Sequence, residues 1–300
     1  MIGIDLGGSN LRAAFFAGDQ KVREHRSPVG DDRSPAAIVE RVARVIEELS
    51  DGTPCTAGIG IAALLRDRRG SVASSPHLGW RDVAFGELVA TRLPAYKLGI
   101  YNDVNAVIWG EVTAGAARGC HDVLGVYVGT GIGGGIVANG RLVEGATNTA
   151  GEIGHTKIVF TDDAAPCQCG QRGCLEAYCG GRYVWDRVRA VFGDHVTPDE
   201  CDRRATDGDP KALALWEPIA TMLGASLANA AAILNPQMIV LGGGLLSRCP
   251  LLFELVEAAI DIAAPTAISE NLLVRSAELG DDAGIVGAAH LATSGVLIAS

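Results

Sequence analysis

His155, Cys167, Cys169 and Cys174 follow one another with eleven, one and four residues between them. One imidazole and three thiolates are the donor set of a closed tetrahedral zinc site, and the Cys-x-Cys pair with Gly170 and Gly173 can fold into a tight knuckle around an ion. Without an ion the same residues would be ordinary buried thiols. Four protein donors leave no position open for water, so the pattern predicts a structural metal. Cys179 stands outside it and reads as a small buried residue. Glu152 and Glu176 flank the cluster. They are either surface charge or carboxylates that a rigid knuckle holds toward a ligand.

A second constellation, Tyr101-Asn102-Asp103-Val104-Asn105, lies where an apolar run ends and a helical pattern begins. That position exposes a carboxylate at the rim of a parallel sheet. Asp103 is suited there to general-base work with Asn102 orienting it; the alternative is a helix cap, which favours the same residue types. Glycine turns are the third. Gly129-Thr130-Gly131-Ile132-Gly133-Gly134 spells the dinucleotide fingerprint, but that motif must open a helix, and Gly135 to Ala138 followed by Asn139-Gly140 continues as a strand. A Rossmann site is excluded. A P-loop is excluded too, because no Gly-Lys pair occurs. Glycine at a strand-to-strand turn lets backbone N–H groups approach an anion closely. Gly7-Gly8-Ser9 and Gly129-Thr130-Gly131 are each a plain hairpin turn or, as a pair, the two grips on a polyphosphate in a cleft, with Asp5 placed to hold hydrated Mg²⁺.

These groups need a frame. Ile2–Leu6 with Leu11–Ala17, and Leu124–Val128 with Gly135–Ala138, read as two hairpins. At an offset of 122 residues Gly3 falls on Gly125, Gly7 on Gly129 and Gly18 on Gly140, which predicts a duplicated domain. Helices are expected at Pro35–Leu49, Phe85–Arg92, Val104–Ala117, Arg182–Val191, Lys211–Leu234 and Leu251–Ala264, and strands at Ala57–Ala62, Lys97–Tyr101 and Met238–Leu241. Pro218 should kink or split its helix. The boundary is expected near Arg118–Asp122. That gives a smaller lobe over residues 1–118 with the first glycine turn, and a larger one over 119–300 with the knuckle and the second turn. The last helix is a candidate to pack back on the first lobe.

Composition narrows the class. The chain has 300 residues, 48% of them hydrophobic, and a formal charge of −10, which argues against a nucleic-acid or anionic-membrane surface. Met1 to Asn10 carry no basic stretch, so no secretory signal is read. Ile219–Leu234 is apolar but interrupted by Thr221, Ser226 and Asn229, and reads as a buried helix rather than a membrane span. A cytoplasmic protein is expected, and in that compartment eight cysteines suggest metal or burial before disulfides.

In this order the segments resemble the ROK family of repressors, open reading frames and sugar kinases, over nearly the whole chain. Ile4 to Asn10 looks like its first phosphate motif, Asn102 to Ala106 like its catalytic strand end, and Val128 to Ile136 like its second phosphate motif. Gly151 to His155 and Cys167 to Glu176 look like the family signature, Ile239 to Gly244 like the segment under the adenosine, and Leu279 to Ala289 like the C-terminal helix. The resemblance implies an α/β, actin-like (ribonuclease-H-like) fold in two lobes, ATP with Mg²⁺ in the central cleft, and γ-phosphoryl transfer to a sugar hydroxyl. Carried over by position, Asp103 deprotonates that hydroxyl, and Asn102, Asp103, Glu152, His155 and Glu176 hold the sugar. Asp5, Gly7, Gly8, Ser9, Asn10, Gly129, Thr130, Gly131, Gly133, Gly242, Gly243 and Gly244 meet the nucleotide and its ion. His155, Cys167, Cys169 and Cys174 bind zinc.

Departures from the family pattern bear on substrate choice. Ala62-Ala63 stands where a Pro-Gly turn is usual, His77 where Asn is usual, and Cys179 where Ser is usual. The first two lie on loops near the sugar. A hexose kinase preferring glucose is expected, with a kinase for N-acetylhexosamines or fructose as the alternative within the family. A sugar-responsive regulator needs a DNA-binding segment before a first motif that here starts at Ile2, and a zinc hydrolase needs an open metal position. The family also suggests a homodimer.

Overall fold

The computed structural model describes residues 1–294. Two compact units divide the chain. One comprises Met1–Gly119, Leu142–Ala150 and the stretch from Glu278 onward; the other comprises Cys120–Arg141 and Gly151–Ala277. The chain therefore changes unit at Gly119–Cys120 and three times more, where a single cut was expected.

The first unit contains, in chain order, β1 (Ile2–Leu6), β2 (Asn10–Ala17), β3 (Gln20–Pro28), α1 (Pro35–Leu49), β4 (Thr56–Ile61), a small sheet of β5 (Leu64–Leu65), β6 (Val72–Ser75) and β7 (Trp80–Val83), then α2 (Phe85–Arg92), β8 (Lys97–Asn102) and α3 (Asp103–Ala114). The main sheet runs β3-β2-β1-β4-β8. Strands β1 to β3 form an antiparallel meander, and β4 and β8 add parallel to β1. Helix α1 starts where the Ser34 side chain accepts the Ala37 N–H and Pro35 presets the first turn, and it buries Ile38, Val42, Val45, Ile46 and Leu49. The C-terminal helix, Ala283–Ser294, lies directly on β1, β4 and α3. Glycine makes that approach possible: a Cβ on Gly58 would collide with the Ala288 carbonyl, and one on Gly287 with the Ala106 carbonyl. The fully buried Glu111 carboxylate accepts the N–H groups of Ala116, Glu278 and Leu279, tying the final segment to α3.

The second unit continues with β9 (Val123–Val128), β10 (Ile132–Ala138) and the Arg141 half of β11 (Arg141–Leu142), then α4 (Glu176–Cys179), α5 (Gly181–Phe192), α6 (Pro198–Thr206), α7 (Pro210–Leu234), β12 (Met238–Gly242), α8 (Pro250–Ala263), α9 (Thr266–Ser269) and β13 (Leu273–Ser276). Its sheet runs β11-β10-β9-β12-β13. In both sheets the first strand pairs antiparallel with the second and parallel with the fourth, so the duplication read from glycine spacing is present in the topology. The hairpins differ by one residue: Leu6 faces Leu11, whereas Val128 faces Ile132.

Helix α7 is one continuous element through Pro218, so the expected split does not occur. Pro218 and Ala214, whose carbonyl loses its partner, are both exposed, and water can take that carbonyl. By length and composition α7 could cross a membrane. Here it buries Trp216, Leu223 and Leu227 in the unit's core and packs along α8. Asp202, 2% exposed, accepts from Trp216 Nε1 (2.7 Å) and from the N–H groups of Leu251 and Leu252 at the start of α8.

Candidate active site

In the first unit, Leu6, Ile61 and Asn102 are register partners across β1, β4 and β8. Asp5 and Asp103 flank that row, so both belong to the carboxyl-terminal edge of the parallel strands. Asn102, not Asp103, is the cap of α3: its Oδ1 accepts the Asn105 N–H at 3.1 Å, and its Nδ2 donates to the Ala63 carbonyl at 3.2 Å. Asp103 is the first residue of α3. A Cβ on Gly60 would be in van der Waals contact with the Asp103 Cα at 3.7 Å and tight against the Ala106 Cβ at 3.1 Å.

Asp5 faces Arg12 across the hairpin, with Arg12 Nη1 at 3.7 Å from its carboxylate and 3.1 Å from Asp281. Burial pushes the Asp5 carboxyl above its usual range, Arg12 pulls it back, and Asp281 adds a smaller push upward. The turn that follows is closed by the Gly7 N–H donating to Asn10 O at 3.0 Å, while Ser9 O accepts the Val29 N–H at 2.8 Å. Ser9 and Asn10 are exposed, and the Gly8 Cα is covered by His77. The Ala62-Ala63 loop is pinned by the Ala62 N–H to Leu6 O (3.1 Å) and the Ala63 N–H to Ile61 O (2.8 Å), and neither residue has a positive φ.

In the second unit, the side-chain donors of His155, Cys167, Cys169 and Cys174 lie within 4.8 Å of one another. His155 Nδ1 is 3.7 Å from Cys167 Sγ, and Cys169 Sγ is 3.6 Å from Cys174 Sγ. Gly170 and Gly173, both at positive φ, make the bends that bring the thiols together. Three thiols and an imidazole fit a four-coordinate zinc site. Glu152 stands 3.8 Å from His155 Nε2, where an outer carboxylate orients a ligating imidazole. Burial raises the Glu152 carboxyl above its usual range, with His155 opposing and Glu176 adding to the rise. Cys179 is outside the cluster and fully buried, its thiol pushed up to about 12 by burial.

Glu176 bridges two features. Its Oε2 accepts the Ile132 N–H at 2.9 Å, just after the second glycine turn, and its Oε1 is 3.7 Å from Cys167 Sγ. A Cβ on Gly131 would run into that carboxylate. Behind the turn, the Gly181 and Arg182 N–H groups donate to the carbonyls of Gly129 and Thr130, both at 2.9 Å. A cavity of about 540 Å³ opens here within the second unit, lined by Gly129, Thr130 and Gly244 among the expected residues. Gly131, Gly133, Gly242 and Gly243 are not in its wall: Gly133 pairs with Tyr127 inside the sheet, and Gly243, at φ +87°, crosses against the Val128 backbone. The motifs did not reveal that the cavity wall also includes Arg182, Trp185, Asp186 and Arg189 from α5. Their one-faced spacing on the helix was the available signal.

Two α/β sheets of one topology, each with a glycine turn after its first strand, define the class of actin-like ATPase folds. A model of the ROK family matches residues 1–294, and the chain belongs to that family. It is 31% identical to a glucokinase of Streptomyces coelicolor over 97% of this chain and 96% of the relative. It is 30% identical to an N-acetyl-D-glucosamine kinase of Pasteurella multocida over 96% of this chain and 98% of that one. A ROK glucokinase from Streptomyces griseus, solved in complex with glucose and AMPPNP, superposes with a TM-score of 0.78 at 29% identity, covering 98% of this chain and 99% of its own.

Proposed function

We propose that this chain is an ATP-dependent hexokinase that transfers the γ-phosphoryl group to a sugar hydroxyl, with glucose, giving glucose 6-phosphate, as the preferred acceptor. The observation that carries the reading is Asp103: a carboxylate on the first turn of α3, at the same sheet edge as Asp5, in a chain aligned to a glucokinase over 97% of its length. Phosphoryl transfer asks for positioning and charge stabilisation more than covalent chemistry. Asp103 takes the proton of the attacking hydroxyl. Asn102, anchored to Ala63 and Asn105, fixes the start of α3 and, with Glu152, His155 and Glu176, holds the sugar. The turns Gly7–Asn10 and Gly129–Gly131 admit phosphate oxygens close to backbone, and Gly242 to Gly244 run beside the nucleoside. Asp5 would hold Mg²⁺, which would supply positive charge beside the phosphates, and His155, Cys167, Cys169 and Cys174 would hold zinc as a structural ion of the knuckle. A homodimer and a cytoplasmic location belong to the same reading.

Glucose is favoured over N-acetylated sugars because the sugar's 2-position approaches the loop after Gly60, where Ala63 adds one Cβ in place of the usual glycine and hydrogen bonds at both Ala62 and Ala63 hold the backbone still. A pocket that merely lacks room discriminates by roughly 10- to 200-fold. An ATP-consumption screen over glucose, mannose, fructose, N-acetylglucosamine and N-acetylmannosamine tests both levels. Absence of hexose-dependent ATP consumption overturns the kinase; equal kcat/KM for glucose and N-acetylglucosamine, or an acetylated preference, overturns the acceptor alone.

A further inference from the structure

A cation stands against the cysteine knuckle. Thr156 O accepts the Leu175 N–H at 2.9 Å and the Ile158 N–H donates to Gly173 O at 2.8 Å, so Lys157 and Cys174 face each other as an antiparallel pair between those two bonds. In such a pair the side chains leave on the same face and stand closest together. The Lys157 Nζ accordingly donates to Cys174 Sγ at 3.3 Å, and another of its hydrogens goes to Arg172 O. Cys174 is fully buried and Lys157 exposed, so the lysine stem places its charged head on a thiol that water does not reach. The charge balance of the knuckle gives this contact its meaning. Three thiolates and a neutral imidazole around a divalent ion leave one negative charge in excess. Two carboxylates add to it, Glu152 at 3.8 Å from His155 Nε2 and Glu176 at 3.7 Å from Cys167 Sγ. Negative charge withdrawn from water is costly unless a cation or a hydrogen-bond donor answers it, and an ammonium is both.

We propose that Lys157 is a positioning residue of the zinc site, which retains the metal by donating to the Cys174 thiolate and offsetting its charge. The assignment rests on the zinc reading given above and is independent of the sugar and the nucleotide. Glu152 orients the imidazole from one side of the knuckle; Lys157 steadies a thiolate from the other. Its loss strands no buried group, because Arg172 is exposed and water can take its carbonyl. The effect of a substitution therefore falls on the loaded site rather than on the packing of the chain.

The test counts zinc in the intact protein and measures its affinity by competition with a chromogenic chelator, at one pH and ionic strength and without sugar or ATP. Lys157→Met keeps the length of the stem and removes charge and donor. It should hold zinc about 10-fold more weakly, the lower end of what losing an outer hydrogen-bond partner costs a metal site. Lys157→Arg keeps a positive charge and N–H donors, and should return the affinity to within about threefold of the unaltered protein. The metal-free forms of all three proteins should melt together, since the lysine acts only on the loaded site. A Lys157→Met protein that holds zinc as tightly as the unaltered one overturns the assignment. So does a Lys157→Arg protein as weak as Lys157→Met, or a metal-free Lys157→Met protein whose melting falls as far as that of the loaded form, which would make Lys157 a packing residue. A protein that takes up no zinc overturns the zinc reading together with this assignment, whereas zinc uptake that Lys157→Met leaves unchanged overturns this assignment alone.

Discussion

The two glycine turns close the same hairpin in the two units, and their surroundings are unlike. Before the first turn stands Asp5, opposite Arg12, with Asp281 on the other side of that guanidinium. At the 122-residue offset its counterpart is Tyr127, opposite Gly133, with its ring against Gly242. The second turn takes its carboxylate from elsewhere: Glu176 reaches it from the end of the cysteine knuckle and holds the Ile132 N–H. Duplication thus supplied two equivalent frames. Chemistry was installed differently in each, on the strand itself in the first unit and through the segment inserted after the hairpin in the second.

The sharpest way to break this comparison is at Asp103, which has no counterpart role in the second unit. Asp103→Asn should leave sugar and nucleotide binding nearly intact while lowering turnover by at least about 100-fold, the usual contribution of a positioned general base. Turnover within a few-fold of the unaltered enzyme would mean that the first unit's sheet edge does not carry the base.

The proposed zinc is the test of the second frame. Chelation should lower the melting temperature and the sugar affinity together, because His155, its partner Glu152 and the Glu176 tie to the second turn share the knuckle as scaffold. Cys174→Ala should reproduce both effects. A chelated protein with unchanged melting and unchanged sugar affinity contradicts a structural ion.

What could be read from residues alone divides along the same line. Motifs built on covalent necessity were legible: the four donors of the knuckle come together, and glycine spacing located both hairpins. Strand β3 was not, since its side chains alternate among polar types and lie mostly exposed, giving no apolar period. Strands β5 to β7 are only two to four residues long, and α6 is dominated by charged residues, so neither rises above a loop pattern. Asn102 and Asp103 are adjacent residues of types that both cap helices, and only the folded chain decides which one does. The bridge from Glu176 to Ile132 spans 44 positions, and no local spacing announces it.

The smallest expected effect separates the turns by space rather than charge. At Gly8 a Cβ would sit 2.7 Å from the Cβ of His77, near the backbone of its neighbour where rotation gives no relief, so Gly8→Ala should cost about 1 to 3 kcal/mol as overpacking. At Gly129 a Cβ would meet nothing within 4 Å. Gly129→Ala should therefore keep its melting temperature or raise it slightly, since a less flexible unfolded chain is worth about 0.4–1 kcal/mol where the native backbone is compatible. Yet Gly129 lines the cavity, and under the proposed nucleotide reading the added methyl would stand where phosphate oxygens approach the turn. The ATP KM should then rise several-fold with little change in the sugar KM. Thermal melts of both variants, followed by kinetics on the stable one, check this: a Gly129→Ala enzyme with both its stability and its ATP KM unchanged would show that the second turn, despite its place in the duplicated frame, is not where the phosphates lie.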